Sequence, residues 1–359
     1  MANQTLNQTS DSELPQVCVI HYPPAAIAFA LFCCISLIII GVFGNLITII
    51  ALIRQRKLRS AATTIFIISL SVTDLIFCCF NLPLTAVRYY FQTWVLGDAL
   101  CQMFAFFFYL NVAASLFNIM AITINRFILI AYHRCYDKIY TPPKIGLMIG
   151  LCWSVPLCIL IPTLFQKWGK FGLRSETFSC TILRHEGSSP KKALFLIGFM
   201  LPCLVIVFCY SGIFWIVRQS RRKMSQHQQQ SASTAKTRRS EDDLSLTKMV
   251  AAIFITFLLC YLPLMIANVA DNEETVPWFH IVASCLAWSA SVWNPIVYAL
   301  MNRRYRAAYA SLMKCVSQPL LSASSELTNS SKPSNLATSF QSLDHTTTVA
   351  LKGHKSTKV

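Results

Sequence analysis

Seven nearly uncharged stretches, each long enough to cross a lipid bilayer, constrain this chain more than any other feature. They run Ala25–Ile53, Ala61–Arg88, Asp98–Tyr132, Ile145–Phe165, Lys191–Val217, Leu246–Ala270 and Val276–Met301. A helix rises 1.5 Å per residue, so about 20 apolar residues cross a hydrocarbon core of about 30 Å. In lipid, every backbone N–H and C=O must find its partner within the segment, which leaves the helix as the form for such stretches. The expected fold is an all-α membrane protein, a seven-transmembrane helix bundle. Of the 359 residues only 13% are charged, against roughly 25% in soluble domains, so a soluble enzyme is excluded. Prolines 83, 156, 162, 202, 263 and 295 lie inside the spans, where neighbouring helices re-satisfy the freed carbonyls and kinks form hinges.

The charged residues set the direction of threading. A net charge of +16 would suggest nucleic acid in a soluble protein; here it gathers between spans and suits an anionic inner leaflet. The first connection holds Arg54, Arg56, Lys57 and Arg59, the third Arg134, Lys138 and Lys144. The fifth holds Arg218, Arg221, Arg222, Lys223, Lys236, Arg238 and Arg239, and Arg303, Arg304 and Arg306 follow the last span. Residues 1–24 contain no Lys or Arg. Cytoplasmic loops carry the Lys/Arg excess, so the N-terminus is expected outside the cell and the C-terminus in the cytosol, at the plasma membrane. The fourth connection, Gln166–Lys192, dissents with Lys167, Lys170, Arg174 and Arg184, which serve either a ligand or the surface. Glycosylation sequons at Asn3 and Asn7 agree with an outer N-terminus. Without the basic and apolar regions of a signal peptide, the first span is expected to direct insertion.

Four parts are expected: an extracellular glycosylated segment 1–24, the bundle 25–301, an amphipathic juxtamembrane helix 302–316 and a disordered cytoplasmic tail 317–359. In the juxtamembrane helix Tyr305, Tyr309, Leu312, Met313 and Val316 share one face, with Arg303, Arg304, Arg306 and Lys314 elsewhere. Cys315 at its end is a candidate palmitoylation site or a free thiol. Gln219–Ser245, polar with a glutamine run, reads as a mobile loop. Most of the fifteen cysteines sit inside spans, where they act as small hydrophobes, and none is paired as CxxC with histidines, so no zinc site is expected.

Short motifs recur in order along the spans: Gly44-Asn45 in the first, Leu70-Ser71-Val72-Thr73-Asp74 in the second, Asn125-Arg126-Phe127 in the third and Trp153 in the fourth. Pro202 and Tyr210 in the fifth, Cys260-Tyr261-Leu262-Pro263 in the sixth and Asn294-Pro295-Ile296-Val297-Tyr298 in the seventh complete the set. Over residues 25–316 the chain resembles the rhodopsin-like (class A) G-protein-coupled receptors. Within them it is most similar to the insect orphan receptors of the moody and trapped-in-endoderm kind, and more distantly to melatonin receptors. The resemblance implies a signalling protein, not an enzyme, that passes an extracellular ligand to a heterotrimeric G protein of the Gi/o class. Arrestin and receptor kinases would act on the phosphorylated tail and on the Arg238-Arg239-Ser240 site, and Thr357-Lys358-Val359 resembles a PDZ-binding end.

The same resemblance assigns roles. Cys101 and Cys180, both on the oxidising side, would form a disulfide that pins the fourth connection over the bundle; Cys18 is left over. Asp74 is a carboxylate at bilayer depth, costing about 2.5–3.5 kcal/mol on insertion scales, and must face a polar interior. Ser115 and Arg126 share a face of the third span, since eleven residues return a helix to within about 20°, and Asn111 lies one turn above Ser115. With Asn45, Ser291 and Asn294 they form a cluster that holds either a sodium ion, the one cofactor to consider, or water alone. From Cys101 the chain climbs about 38 Å to Arg126, so this arginine is expected at the inner membrane face, with its head in the interface. Such an arginine pairs inward at rest and meets the G protein when active, together with Tyr210, Asn294, Pro295 and Tyr298. Asn125 stands where the family carries an acid, so the resting partner falls to Asp243, in a weak surface pair of about 0–1 kcal/mol. That predicts basal activity. Alternatively Glu241, Asp242 and Asp243 are a solvated acidic helix start.

Tyr261 stands where the family often has Trp. Phe108, Tyr109, Val112, Tyr261, Asn268, His280 and Trp288, with Tyr89, Leu194 and Phe195, are expected to wall an aromatic, uncharged pocket. It would take a small molecule or lipid with an acidic head near Arg88, Lys167 or His280. An opsin is excluded because residues 277–301 contain no lysine for a Schiff base. A transporter or channel would show internal repeats and midplane charges. A non-signalling scavenger or decoy receptor of the same fold is the remaining alternative.

Overall fold

The computed structural model describes residues 22–55, 58, 61–174, 178–187, 189–226, 234–270 and 277–315, and within these all side chains except those of 192, 221, 223–226, 234–242, 267–270 and 277. Among the described residues, seven helices are long and apolar enough to cross a membrane: Pro24–Arg54, Ala62–Phe91, Gly97–Ala131, Pro142–Leu164, Ala193–Ser220, Asp243–Ile266 and Trp278–Met301. We number them as spans one to seven. The first and fourth carry proline in the first turn, where a missing N–H removes nothing the helix would use.

Prolines deeper in the spans leave a different mark. Span two contains a π-helical turn at Phe77–Asn81, where the Leu82 N–H reaches the Phe77 carbonyl. Span five contains another at Leu196–Met200, where Leu201 bonds to Leu196. Each ends two residues before a proline, Pro83 or Pro202, which takes the second position of the next helical stretch. The wider turn absorbs a break that a ring without an N–H would otherwise make.

Among the described residues, most buried apolar side chains gather in three clusters. One lies along the middle of the bundle and its arginine-bearing end, with Phe66, Leu70, Leu116, Ile119, Ile253, Phe257 and Tyr298. A second joins Ala30, Cys34, Phe77, Tyr89, Ile281 and Trp288. The third lies under the fourth connection, with Trp94, Phe104, Leu160, Phe171 and Ile182.

The connections hold structure that hydropathy does not show. After span three comes a short helix, His133–Ile139. The fourth connection is an antiparallel hairpin of β1 (Lys170–Arg174) and β2 (Ser179–Leu183), with Phe171 opposite Ile182 and Leu173 opposite Cys180. Alternation puts Phe171 and Ile182 on one face, and both are buried. In Gln219–Ser245, expected as a loop, the described residues are helical: the fifth helix continues to Gln226 and the sixth begins at Thr234. Arg, Lys, Gln, Ala and Glu are good helix formers, and helices already begun by the spans extend through them at little cost. Asp243 therefore lies inside a helix and not at an acidic helix start.

A helix over 303–315 follows span seven. Asn302 caps it, its Oδ1 accepting the Arg304 and Tyr305 N–H groups at 2.9 and 3.3 Å. Arg306 donates back to the Ala299 and Leu300 carbonyls, which the end of span seven leaves open. Hydroxyl bonds Tyr309–Thr48 (2.9 Å) and Tyr305–Thr64 (3.4 Å) hold the helix against spans one and two. Cys315 is exposed. Asn3, Asn7, Cys18 and residues 316–359, with the PDZ-like end, lie outside the described residues.

Candidate functional site

Span three passes through every part of the site. At one end Cys101 is bonded to Cys180 of β2, with 5.3 Å between their Cα atoms. At the other is Arg126.

Midway, Asp74 is buried and its Oδ2 accepts from Asn294 Nδ2 at 2.7 Å. Ser115 donates to Thr73 Oγ1 at 3.1 Å. Asp74, Asn111, Ser115, Ser291 and Asn294 line a small cavity, closed by Phe77, Val112, Phe257, Tyr261 and Ala290. Its space of about 10 Å³ is of the order one water-sized particle needs. Asn45 does not line it. Its Nδ2 bonds to the Gly41 and Ser291 carbonyls, both at 2.9 Å, and so fixes the seventh-span wall. Gly41 lets span two pack closely here, because a Cβ there would collide with Cys78 Sγ. Its polar side offers carboxylate, amide and hydroxyl oxygens, hard donors of the kind that suit hard cations.

At the arginine end, the side chain expected in the interface is buried: Arg126 is 4% exposed. Its Nη2 donates to Thr63 Oγ1 and to Asn125 Oδ1 (3.2 Å). Thr63 donates to the same amide oxygen at 2.6 Å, and Asn125 Nδ2 donates to the Tyr136 hydroxyl at 3.0 Å. An amide at 125 thus accepts from the cation on one side and donates to the loop helix on the other. A carboxylate could do only the first. Arg126 Nη1 lies 3.9 Å from Asp243 Oδ1, whose side chain is 38% exposed, and neither Nη1 nor Nε makes a hydrogen bond. The expected pair exists, but it is not a surface pair on the arginine's side. Asp243 of the sixth helix's extension and Tyr136 of the His133–Ile139 helix, two elements that hydropathy does not show, lie beside it.

Phe127 fits into the space left by Gly212 of span five, where a Cβ would lie 2.6 Å from its Cε2. Tyr210 donates to the Thr247 carbonyl of span six at 3.4 Å. Tyr298 is fully buried against Tyr305, with 6.0 Å between ring centres, and its hydroxyl has no hydrogen-bond partner. Pro295 packs on Gly44.

The residues expected to wall one outer pocket are divided among the three clusters. Tyr261 and Val112 line the Asp74 cavity, with Tyr261 4.5 Å from the Phe257 ring centre, and Phe195 packs with them. Trp288, Tyr89 and Phe108 belong to the second cluster, and His280 is buried. Tyr109 reaches the hairpin, its hydroxyl 2.9 Å from Thr181 Oγ1, and Leu194 packs there too. The Asn268 side chain lies outside the described residues. Large rings at helical spacing fill space between spans as readily as they wall a pocket. Arg88 and Tyr89 border a second small cavity with Tyr22, Ile27, Gln92 and Phe178, the guanidinium 4.7 Å from the Tyr89 ring centre.

Residues 44–298 match the family of seven-transmembrane receptors of the rhodopsin family. Protein trapped in endoderm-1 of Drosophila melanogaster is 46% identical over 83% of this chain and 81% of its own length. The G-protein coupled receptor moody of the same fly is 33% identical over 84% of this chain, which spans about half (53%) of that longer relative. Melatonin receptor type 1B of Mus musculus is 35% identical over 76% of this chain and 74% of its own. In fold, squid rhodopsin superposes with a TM-score of 0.72 over 83% of this chain and 88% of that one, at 23% identity. The chain belongs to the rhodopsin family of G-protein-coupled receptors, multi-pass membrane proteins that signal and are not enzymes.

Proposed function

We propose that this receptor sits in the plasma membrane with its N-terminus outside and passes the binding of a largely apolar, acid-headed small molecule or lipid to a heterotrimeric G protein of the Gi/o class, with measurable basal activity. The observation that carries the reading is the Arg126 site. A permanent cation is buried with two of its three nitrogens free of hydrogen bonds, and its carboxylate partner is half-exposed on another helix. Outward movement of span six takes Asp243 away and leaves those donors facing the cytosol, ready for carbonyls or a carboxylate of the G protein. Tyr210, bonded to span six, and Tyr298, with an unused hydroxyl, are the groups free to re-pair when that happens.

The Asp74 cavity supports a sodium ion as resting-state ligand: oxygen donors and room for one small particle are both present. Held there, the ion would supply the positive charge that Asp74 lacks, while Ser115, Asn294 and Ser291 orient the carboxylate and close the wall. The basic residues of the hairpin and Arg88 support an acidic head on the ligand, and the Ser/Thr-rich tail supports regulation by receptor kinases and arrestin.

A G-protein dissociation panel on cells expressing the wild type and Arg126→Ala tests the proposal. Constitutive dissociation of a Gi/o heterotrimer, lost in the variant at equal surface expression, is expected. Identical signals from both across all G-protein classes would favour the decoy reading.

A further inference from the structure

Asn81 is a fully buried amide in span two, and none of the roles above uses it. It closes the π-helical turn Phe77–Asn81. One extra residue in a turn rotates everything beyond it by about 100°, and here the amide at the end of the turn meets span three. Asn81 Nδ2 donates to the Phe104 carbonyl at 3.1 Å, and Asn81 Oδ1 accepts from Asn111 Nδ2 at 3.3 Å. Its own carbonyl is held by Thr85 Oγ1 at 2.8 Å. A buried amide is costly unless both ends are bonded, and this one is bonded at both ends to the same helix, two turns apart.

Those two contacts belong to different layers. Phe104 lies one turn below the Cys101–Cys180 disulfide, its ring 5.6 Å from Trp94 and 6.4 Å from Phe108. Phe108 in turn lies 6.1 Å from Phe77 in the π turn. Asn111 lines the Asp74 cavity. We propose that Asn81 is a positioning residue that couples the ring layer beneath the disulfide to the Asp74 cavity, by holding the Asn111 amide and the Phe104 carbonyl in one register. A shift of the ring layer moves Phe104, and through Asn81 it turns Asn111 on the cavity wall. The bridge is present in the same structure in which Asp243 lies 3.9 Å from Arg126, and the proposal assigns it to that closed arrangement, so that cutting it favours the open state. This inference rests on the receptor reading above.

The test is a double-mutant cycle on receptor purified into lipid nanodiscs, reading nucleotide exchange on a heterotrimeric G protein without ligand. Asn81→Leu and Asn111→Leu are each expected to raise the basal rate about fivefold, the lower edge of couplings between sites. The double variant should also give about fivefold and not about 25-fold, because both changes cut one bridge. Asn81→Ser, whose hydroxyl bonds within its own helix, should act in the same direction and serves if the leucine variant does not fold. A change below about twofold in folded Asn81 variants, or effects that multiply, would overturn the coupling. The same cycle read by amide hydrogen exchange over residues 104–115 needs no G protein. If wild type and Arg126→Ala exchange nucleotide equally, the receptor reading fails, and non-additive or additive hydrogen exchange then decides the bridge by itself.

Discussion

Replacing Asn125 by aspartate restores the acid that the family carries beside its arginine, and the geometry sets what this should do. The amide oxygen lies 3.2 Å from Arg126 Nη2. A carboxylate oxygen placed there interacts with the guanidinium by about 5 kcal/mol at an effective dielectric of about 20. Position 125 is fully buried, so the new charge also loses hydration worth several kcal/mol. Thr63, already donating at 2.6 Å, and Tyr136, which can reverse from acceptor to donor, return part of that loss. The balance is about 1–2 kcal/mol in favour of the closed arrangement, or roughly five- to thirtyfold in its population. Basal nucleotide exchange by Asn125→Asp should therefore fall about tenfold at pH 7, measured on purified receptor in nanodiscs with Arg126→Ala as the floor. An unchanged or raised basal rate in a folded variant would refute the idea that the amide at 125 leaves the arginine loosely held.

Asp243→Asn removes a partner 3.9 Å from Arg126 that is itself 38% exposed; solvent screening holds its worth to about 0–1 kcal/mol, so basal exchange should rise by no more than about fivefold. Gly212→Ala puts a methyl group 2.6 Å from Phe127 and should lower the thermal midpoint in a thiol-reactive unfolding assay; a second change, Phe127→Ala, should restore most of the loss by opening the same space. Cys101→Ser opens a covalent loop of 79 residues, which a chain-entropy estimate values at about 4.5 kcal/mol, and surface expression should drop sharply. Wild-type expression of that variant would show that the hairpin stays seated without the bond.

The parts of this molecule governed by bilayer thickness were legible in the sequence, and the parts governed by packing were not. Each apolar run had to be a helix of about the span length, and each is. Asp74 and Asn294 are far apart in the chain, yet each is polar at bilayer depth, and the structure brings them to 2.7 Å. Signals for the hairpin existed in the alternation of Phe171 and Leu173 with Cys180 and Ile182, but a five-residue strand is too short to stand out against a basic loop. The helical extensions through Gln226 and from Thr234 were hidden because polar composition fits a loop as well as a solvated helix. Arg126 was expected with its head in the interface, whereas it is buried and bonded to Thr63 of span two, a contact across spans that spacing along one helix does not show. Which rings wall a cavity and which fill a core depends on their contacts across spans, and helical spacing alone does not carry that information.

Tyr261 shows how far a departure from the family pattern is absorbed by its surroundings. It is 6% exposed, it lies 4.5 Å from the Phe257 ring centre, and it closes a cavity with space of about 10 Å³. An indole is both wider and longer than a phenol, and on one side it would meet Phe257, on the other the oxygen-lined cavity wall. Tyr261→Trp should therefore be an overpacking substitution despite restoring the family's usual residue, and it should cost about 1–3 kcal/mol of stability. Tyr261→Phe keeps the packing and removes only the hydroxyl, so its effect should stay below about 1.5 kcal/mol. Thermal midpoints of the two variants in the same lipid separate the cases. A Trp variant as stable as the wild type would mean that the cavity can give way, and that the wall around Asp74 is softer than its hydrogen bonds imply.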